Sequence, residues 1–242
     1  MIVTLATQLP ISETVNFVKR HAAKPGLRLL EVGAGEGDLA LALMQSGYDV
    51  RALDNDEAKV SLAQRKGVDC RLADITEYED DPFDLILFSR SLHHIQPLDQ
   101  AIKRTRSLLA EDGTLLVDDF APETADEDTV RFRYETEFIL RGSCGLSCST
   151  RDEYPLDPLQ HWKDHLFVKH KVSDSVTIRG AIAAIFSNVE EESVPYMYRY
   201  IVDKLPRNSE SLSIAQKVLR EEKDLIARKM IKPIGLLMVA KV

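Results

Sequence analysis

Apolar positions in the first 120 residues follow two alternating rhythms. Arg28-Leu29-Leu30-Glu31-Val32 is strand-length and runs into glycines at 33, 35 and 37, Asp38 to Ser46 repeats with a helical period until Gly47, and Asp49 to Leu53 forms a second strand. Asp56 then caps a helix ending at Gly67, Val68 to Leu72 reads as a third strand, and Phe83 to Phe88 is an apolar fourth. Pro97 opens a helix whose apolar face is Leu98, Ala101, Ile102, Thr105, Leu108 and Leu109, and the turn Glu111-Asp112-Gly113 leads into a fifth strand, Thr114 to Asp118. Strands separated by helices of this length build a parallel sheet.

After Phe120 the alternation breaks. Glu111 to Val130 holds acidic residues and no Lys or Arg, Arg131-Phe132-Arg133-Tyr134-Glu135 opens an amphipathic stretch, and Cys144 to Pro158 is rich in turn formers. The expectation is one domain, residues 1–242, carrying an inserted substrate lobe over 121–176. Regularity returns with a helix from about Thr177 to Ser187, a strand within Val189 to Val202, a long helix from about Ser211 to Met230 and a strand from Ile234 to Val242. The last two strands lack a glycine-rich turn and read as closing edge strands. Tyr196, Tyr198 and Tyr200 alternate as one face of such a strand would, and the mixed charges of the last helix, Glu221, Glu222 and Asp224 among Lys217, Arg220 and Lys223, read as a solvated face.

Composition narrows the partners. The chain has 242 residues and a formal net charge of −8, with 44% hydrophobic and 29% charged residues, which excludes disorder and disfavours a broad phosphate-binding surface. A free small molecule fits better than nucleic acid or a membrane, as a monomer or homodimer. The longest apolar stretches are strand-sized and the first residues lack a basic, apolar leader, so a cytoplasmic protein is expected. Three cysteines, Cys70, Cys144 and Cys148, make no disulfide framework and read as reduced thiols.

The turn Gly33-Ala34-Gly35-Glu36-Gly37 sits between a strand and a helix, where glycines let backbone approach a ligand closely. Asp38 occupies the position at which a dinucleotide site carries its third glycine, so a carboxylate would face a pyrophosphate. That favours a ligand without phosphate, bearing an amino acid end. Asp54 follows Gly33 by about 20 residues, the spacing at which a strand-end carboxylate chelates ribose hydroxyls. Asp74 can accept from an adenine amine, with Ile75 as an apolar wall for the ring.

Leu30-Glu31-Val32-Gly33-Ala34-Gly35-Glu36-Gly37, Leu53-Asp54, Ala73-Asp74-Ile75 and Phe83-Asp84-Leu85-Ile86 together resemble the ordered motifs of class I S-adenosylmethionine-dependent methyltransferases of the small-molecule type. The resemblance implies an α/β Rossmann-like, doubly wound sheet of seven strands, mostly parallel, closed by an antiparallel C-terminal hairpin. It implies S-adenosyl-L-methionine as cofactor, with Glu31, Gly33, Ala34, Gly35 and Gly37 around the methionine end, Asp54 and Asn55 at the ribose, Asp74 and Ile75 at the adenine, and Ser89, Arg90 and Ser91 along the floor. A non-catalytic S-adenosylmethionine-binding regulator or partner subunit would keep the same features, and an NAD-dependent oxidoreductase is a further alternative.

Methyl transfer from a sulfonium needs its partners held in line, and a general base assists where the acceptor must lose a proton. His93 and His94 follow the fourth strand on the ligand-binding edge and are the candidate bases. Asp118 and Asp119 end the fifth strand as a solvated or substrate-selecting rim, and Tyr134, His161 and His165 are candidate acceptor contacts in the lobe, where Phe132, Trp162 and Phe167 add aromatic surface. Cys144, Cys148, His161 and His165 match a zinc-finger spacing, but Pro155 and Pro158 interrupt the helix that such a finger needs, and no metal is expected.

Overall fold

A computed structural model describes residues 6–144, 154–208 and 210–242. The chain divides into two compact units, one of Ile11–Phe120, Ser173–Glu192 and Leu236–Val242, the other of Met1–Pro10, Ala121–Val172 and Ser193–Gly235. The expected 121–176 lobe falls mostly in the second of these, which also takes in the segment before the last strand and the first ten residues.

The first unit carries the sheet. Strands β1 (Arg28–Val32), β2 (Asp49–Asp54), β3 (Asp69–Leu72), β4 (Phe83–Ser89), β5 (Leu109–Phe120), β6 (Asn188–Val194) and β7 (Gly235–Lys241) lie in the order β3-β2-β1-β4-β5-β7-β6. The pairs β1–β2, β2–β3, β1–β4 and β4–β5 are parallel. Val242 N–H reaches the carbonyl of Gly113 early in β5, and Ala121 N–H, just past the end of β5, reaches that of Ile234 just before β7. Those two bonds make β7 antiparallel to β5, as the resemblance implied.

Helices α2 (Asp38–Gln45), α3 (Glu57–Arg65), α4 (Leu98–Leu108) and α7 (Ser175–Ala183) cover the strands. Asp56 caps α3 by accepting from Ala58 and Lys59 N–H groups, and α4 buries Leu98, Ala101, Ile102, Thr105 and Leu108, as its apolar spacing requires. These side chains join Leu30, Val32, Ile86, Phe88, Leu115 and Val117 of the sheet and Ile178 and Ile182 of α7 in one core. Parallel strands covered by helices are buried, which explains the unbroken apolar run of β4. β1 is hydrogen-bonded to β2 on one side and β4 on the other, so the strand order reverses there, and a crevice opens outside the carboxyl ends.

Three features differ from the sequence expectation. A helix α1 over Gln8–His21, with Val15, Phe17 and Val18 buried, precedes the first strand. Strand β5 starts at Leu109, with a bulge where Phe83 and Leu85 pair with Leu109 and Thr114, so the acidic turn belongs to the strand. The tyrosines at 196, 198 and 200 do not alternate along a strand: β6 stops at Val194 before Pro195, and Met197–Val202 is a short helix, α8.

That helix explains a fourth. In the second unit, α5 (Glu127–Cys144), α6 (Pro158–Lys163), α8 and the long α9 (Ser211–Ala227) pack together, with Ile201, Val202, Ala215, Val218 and Leu219 in a shared core. Glu222 of α9 points inward, fully buried, and its carboxylate accepts from the backbone N–H groups of Tyr196, Met197 and Tyr198 at 2.7–2.8 Å. These are the orphan donors of the first turn of α8, and a side chain from another helix satisfies them. Burial pushes the Glu222 carboxyl above its ordinary value, opposed by the three N–H donors. Glu222→Ala is expected to lower stability by about 2–4 kcal/mol in urea unfolding, because three buried donors lose a charged acceptor, with Glu222→Gln losing less.

Candidate functional site

The first unit holds a cavity of about 420 Å³ at the carboxyl ends of β1, β2, β3 and β4. Among its walls are Gly33, Asp54, Asn55, Asp74, Ile75, Arg90 and Ser91, all expected from sequence, together with His94. Lys59, Ile95 and Gln96 also line it and were not foreseen. Glu31, Ala34, Gly35, Gly37, Ser89 and His93 are not among the lining residues.

The glycine turn is built by crossing hydrogen bonds. Gly33 and Ala34 N–H groups both donate to the Leu53 carbonyl, and Gly35 N–H donates to Asp54 Oδ2 at 2.7 Å. Gly33 sits at φ +76°, and a Cβ there would lie 2.4 Å from that of Ser91, whose hydroxyl donates to the Val32 carbonyl at 2.6 Å. The glycine at 33 is therefore a requirement of close approach between the ends of β1 and β4. Arg90 holds a positive φ of 55°, its N–H bonded to the Asp118 carbonyl across to β5.

Asp54 is buried, with Oδ2 on Gly35 N–H and Oδ1 accepting from Asp56 N–H at 3.0 Å. A carboxylate has about four acceptor sites, so lone pairs remain for ribose hydroxyls after these two bonds. Asp74 is exposed, with Oδ1 accepting from the Thr76 N–H and hydroxyl, while Ile75 beside it is buried. Asp38, at the position of a dinucleotide site's last glycine, is exposed and paired with Lys66 at 2.6 Å.

Glu31 is buried on β1 immediately before the turn, and its Oε2 has no hydrogen-bond partner among the described residues. Burial, against the backbone of Ala40 and the charge of Arg90, pushes its carboxyl up to about 8. A nucleoside with a cationic amino acid end fits this set: hydroxyl acceptors at Asp54, an apolar wall at Ile75, a cradle without Cβ at Gly33, and an acid in reserve at Glu31.

His93 and His94 follow β4 on a short 3₁₀ turn, Leu92–His94, and part ways there. His94 is exposed and lines the cavity. His93 is buried, its Nδ1 lying 2.6 Å from Asp119 Oδ1, its N–H donating to Asp119 Oδ2, its carbonyl accepting from Ser173 N–H, and its ring 4.1 Å from that of His94. Asp119 is thus a partner that sequence reasoning placed on a solvated rim. The rim expectation fails for both acids: Asp118 and Asp119 are fully buried, and Asp118 accepts from the Thr14 hydroxyl at 2.5 Å.

In the second unit, Tyr134 O–H and His161 Nδ1 lie 2.6 Å apart, and the rings of His161 and His165 stack at 6.4 Å. Burial, then the charges of His170 and Arg133, push the His165 imidazole down to about 4. Pro158 is the first residue of α6, capped by Asp157, and α6 continues as a turn of π-helix over Asp164–Lys169. Trp162, fully buried, donates to the Pro122 carbonyl. Of the zinc-like spacing, Cys148 lies outside the described residues.

The native state holds a proton on Glu31 that the unfolded chain releases near pH 4.5, so this group's contribution to stability is complete below that value and is lost as pH rises through about 8. Unfolding free energy should fall by up to ~1.4 kcal/mol per pH unit across that window, and Glu31→Gln should flatten the profile in urea midpoints taken at successive pH values.

A methyltransferase-domain family matches residues 8–172. A methyltransferase of Staphylococcus carnosus, described as uncharacterized, is 34% identical over 117 residues, 46% of this chain and 56% of that one. The (S)-tetrahydroprotoberberine N-methyltransferase of Eschscholzia californica is 26% identical over 167 residues, 60% of this chain and 47% of its own. The chain therefore spans about half the length of these relatives. Among solved structures, a SAM-dependent methyltransferase from Archaeoglobus fulgidus aligns over 96% of this chain and 94% of its own, with TM-score 0.55 and 15% identity. Haemonchus contortus phosphoethanolamine N-methyltransferase 2, solved with phosphomonomethylethanolamine and S-adenosylhomocysteine, aligns over 96% of this chain and 52% of its own, with TM-score 0.61 and 16% identity. Strand order, glycine turn and family match agree, and the chain belongs to the methyltransferase-domain family, on the fold of class I S-adenosylmethionine-dependent enzymes.

Proposed function

We propose that the chain catalyses methyl transfer from S-adenosyl-L-methionine to a small-molecule acceptor. The observation that carries this reading is the cavity whose walls combine Gly33, Asp54, Asn55, Asp74, Ile75 and Arg90 at four strand ends. S-adenosylmethionine, when bound, supplies a methyl group on a positively charged sulfur, a leaving group already activated for in-line displacement.

The chain's own residues bind, orient and manage a proton. Asp54, held by two backbone N–H groups, receives the ribose hydroxyls with Asn55 alongside, while Asp74 and Ile75 receive the adenine. Gly33, Ala34, Gly35 and Gly37 bring backbone to the amino acid end. Glu31 behind them gives up its proton and becomes the counter-charge when a cation arrives, as a desolvated acid does beside an opposite charge. Arg90 and Ser91 form the floor.

His94, exposed at the cavity wall, accepts the acceptor's proton, and His93, fixed through Nδ1 to buried Asp119, sets the position of the loop. Holding reactants in line can supply ~7–11 kcal/mol of barrier lowering, so proton transfer is the smaller part. Tyr134, His161 and His165, the candidate acceptor contacts of the sequence, lie together within the second unit. A small, free acceptor agrees with the net charge of −8, with the names of the two N-methyltransferase relatives, and with the absence, among the described residues, of a helix long and apolar enough to cross a membrane. We place the protein in the cytoplasm on the same grounds.

Calorimetric titration should show saturable binding of S-adenosylhomocysteine and none of NADH, with Asp54→Ala weakening the former at least tenfold through lost hydroxyl acceptors. Preferential NADH binding would overturn the cofactor assignment. With an acceptor found by screening, His94→Ala should lower turnover by roughly 10²–10⁴-fold while leaving S-adenosylhomocysteine affinity in place.

A further inference from the structure

The second unit contains a buried cation whose carboxylate partner, among the described residues, is shared with a second cation. Arg133, 7% exposed on α5, lies over three aromatic rings, with its guanidinium carbon 4.2 Å from the centroid of Tyr200, 4.8 Å from that of Tyr134 and 5.4 Å from that of Trp162. Its Nε donates to Glu137 at 3.0 Å. Glu137, equally buried, gives its other oxygen to Lys204 Nζ at 2.8 Å. Among the described residues, two cations therefore share one carboxylate. Arg133 Nη1 is closed to solvent and has no hydrogen-bond partner among the described residues.

A buried donor left unmade is costly, and an uncompensated buried charge more so. Stacking on rings recovers part of that cost, but a ring leaves an in-plane N–H unused. The neighbourhood is electropositive beyond Arg133 itself: His165 is held neutral, first by burial and then by the charges of His170 and Arg133. A planar guanidinium fork with an open N–H, walled by aromatics, is the form in which proteins recognise carboxylates and phosphates.

We propose that Arg133 is the anchor of an anion subsite within the second unit, which takes a carboxylate or a phosphate. The site goes beyond the methyltransferase reading and stands on the second unit's own residues. The bound anion supplies the missing acceptor for Nη1. Because Nη1 is enclosed, the anion enters by displacing a covering ring, on the side where Tyr134 is tied to the exposed His161.

Trp162 is the chain's one tryptophan, so its fluorescence reports on this site. Protein saturated with S-adenosylhomocysteine should be titrated separately with inorganic phosphate and with acetate, against sodium chloride at matched ionic strength. The expected result is a saturable change with one or both anions at about 1–10 mM and none with chloride; the arm that saturates identifies the anion. Arg133→Lys, which keeps the charge and loses the fork, should weaken binding at least tenfold, and Glu137→Gln, which removes the carboxylate charge beside the guanidinium, should tighten it at least threefold. An arginine with a structural role alone gives no saturable change in either arm, and that outcome overturns the proposal even if both variants fail to fold. Normal S-adenosylhomocysteine binding beside silent anion titrations removes this subsite and leaves the methyltransferase reading standing. If S-adenosylhomocysteine does not bind, the same titration of the unloaded protein still decides the anion site.

Discussion

Asp54 commits both carboxylate oxygens to backbone N–H groups, one on the glycine turn after β1 and one at the start of the connection into α3. Its position at the end of β2 is set by a parallel register in which Leu53 pairs with Val32. Strand pairing, turn and helix entry are thereby joined at one buried charged group. Hydrogen bonds to an ionised acceptor are about twice as strong as neutral ones, so the turn is held where its glycines can meet a ligand before any ligand arrives. Preorganisation of this kind lowers the ordering cost of binding.

Buried acids play the same part elsewhere. Asp119 takes both the ring and the backbone N–H of His93, and Glu222 takes three successive N–H groups at the start of α8. In each case a carboxylate replaces water on backbone donors that local structure leaves unmet. Glu31 differs: its second oxygen is unmet among the described residues, and burial keeps its proton on. Asp119 and Glu222 hold the fold, and Glu31 is poised for a charge from outside.

The sheet and most of the cavity were legible because they are written locally. Strand runs, the glycine spacing, Asp54 and Asp74-Ile75 all depend on residues within a few positions of one another, and parallel strands bring their ends together without further instruction. What escaped depends on partners far apart in sequence. Glu222 reads as one more charge on a mixed helix until Tyr196–Tyr198 is placed against it, 24 to 26 residues away. Asp119 sits 26 residues from His93, and nothing near either announces the other. The tyrosines misread as a strand face show the same limit, since alternation over five positions fits a helix turn as well once a cap from elsewhere supports it. Lys59 and Gln96 line the cavity from elements whose patterns carried no functional signal.

The strand order also constrains how the chain acquires this structure. β7 follows the other six strands in sequence yet lies inside the sheet, between β5 and β6. As the chain emerges in order, the outer edge of β5, with Leu115, Leu116 and Val117 among its buried residues, has no neighbour until Gly235–Lys241 is made, and β6 has no strand to join. An apolar edge left open for that long is a template for pairing with other chains. The seven-residue β7 is thus a fastener that closes two edges at once.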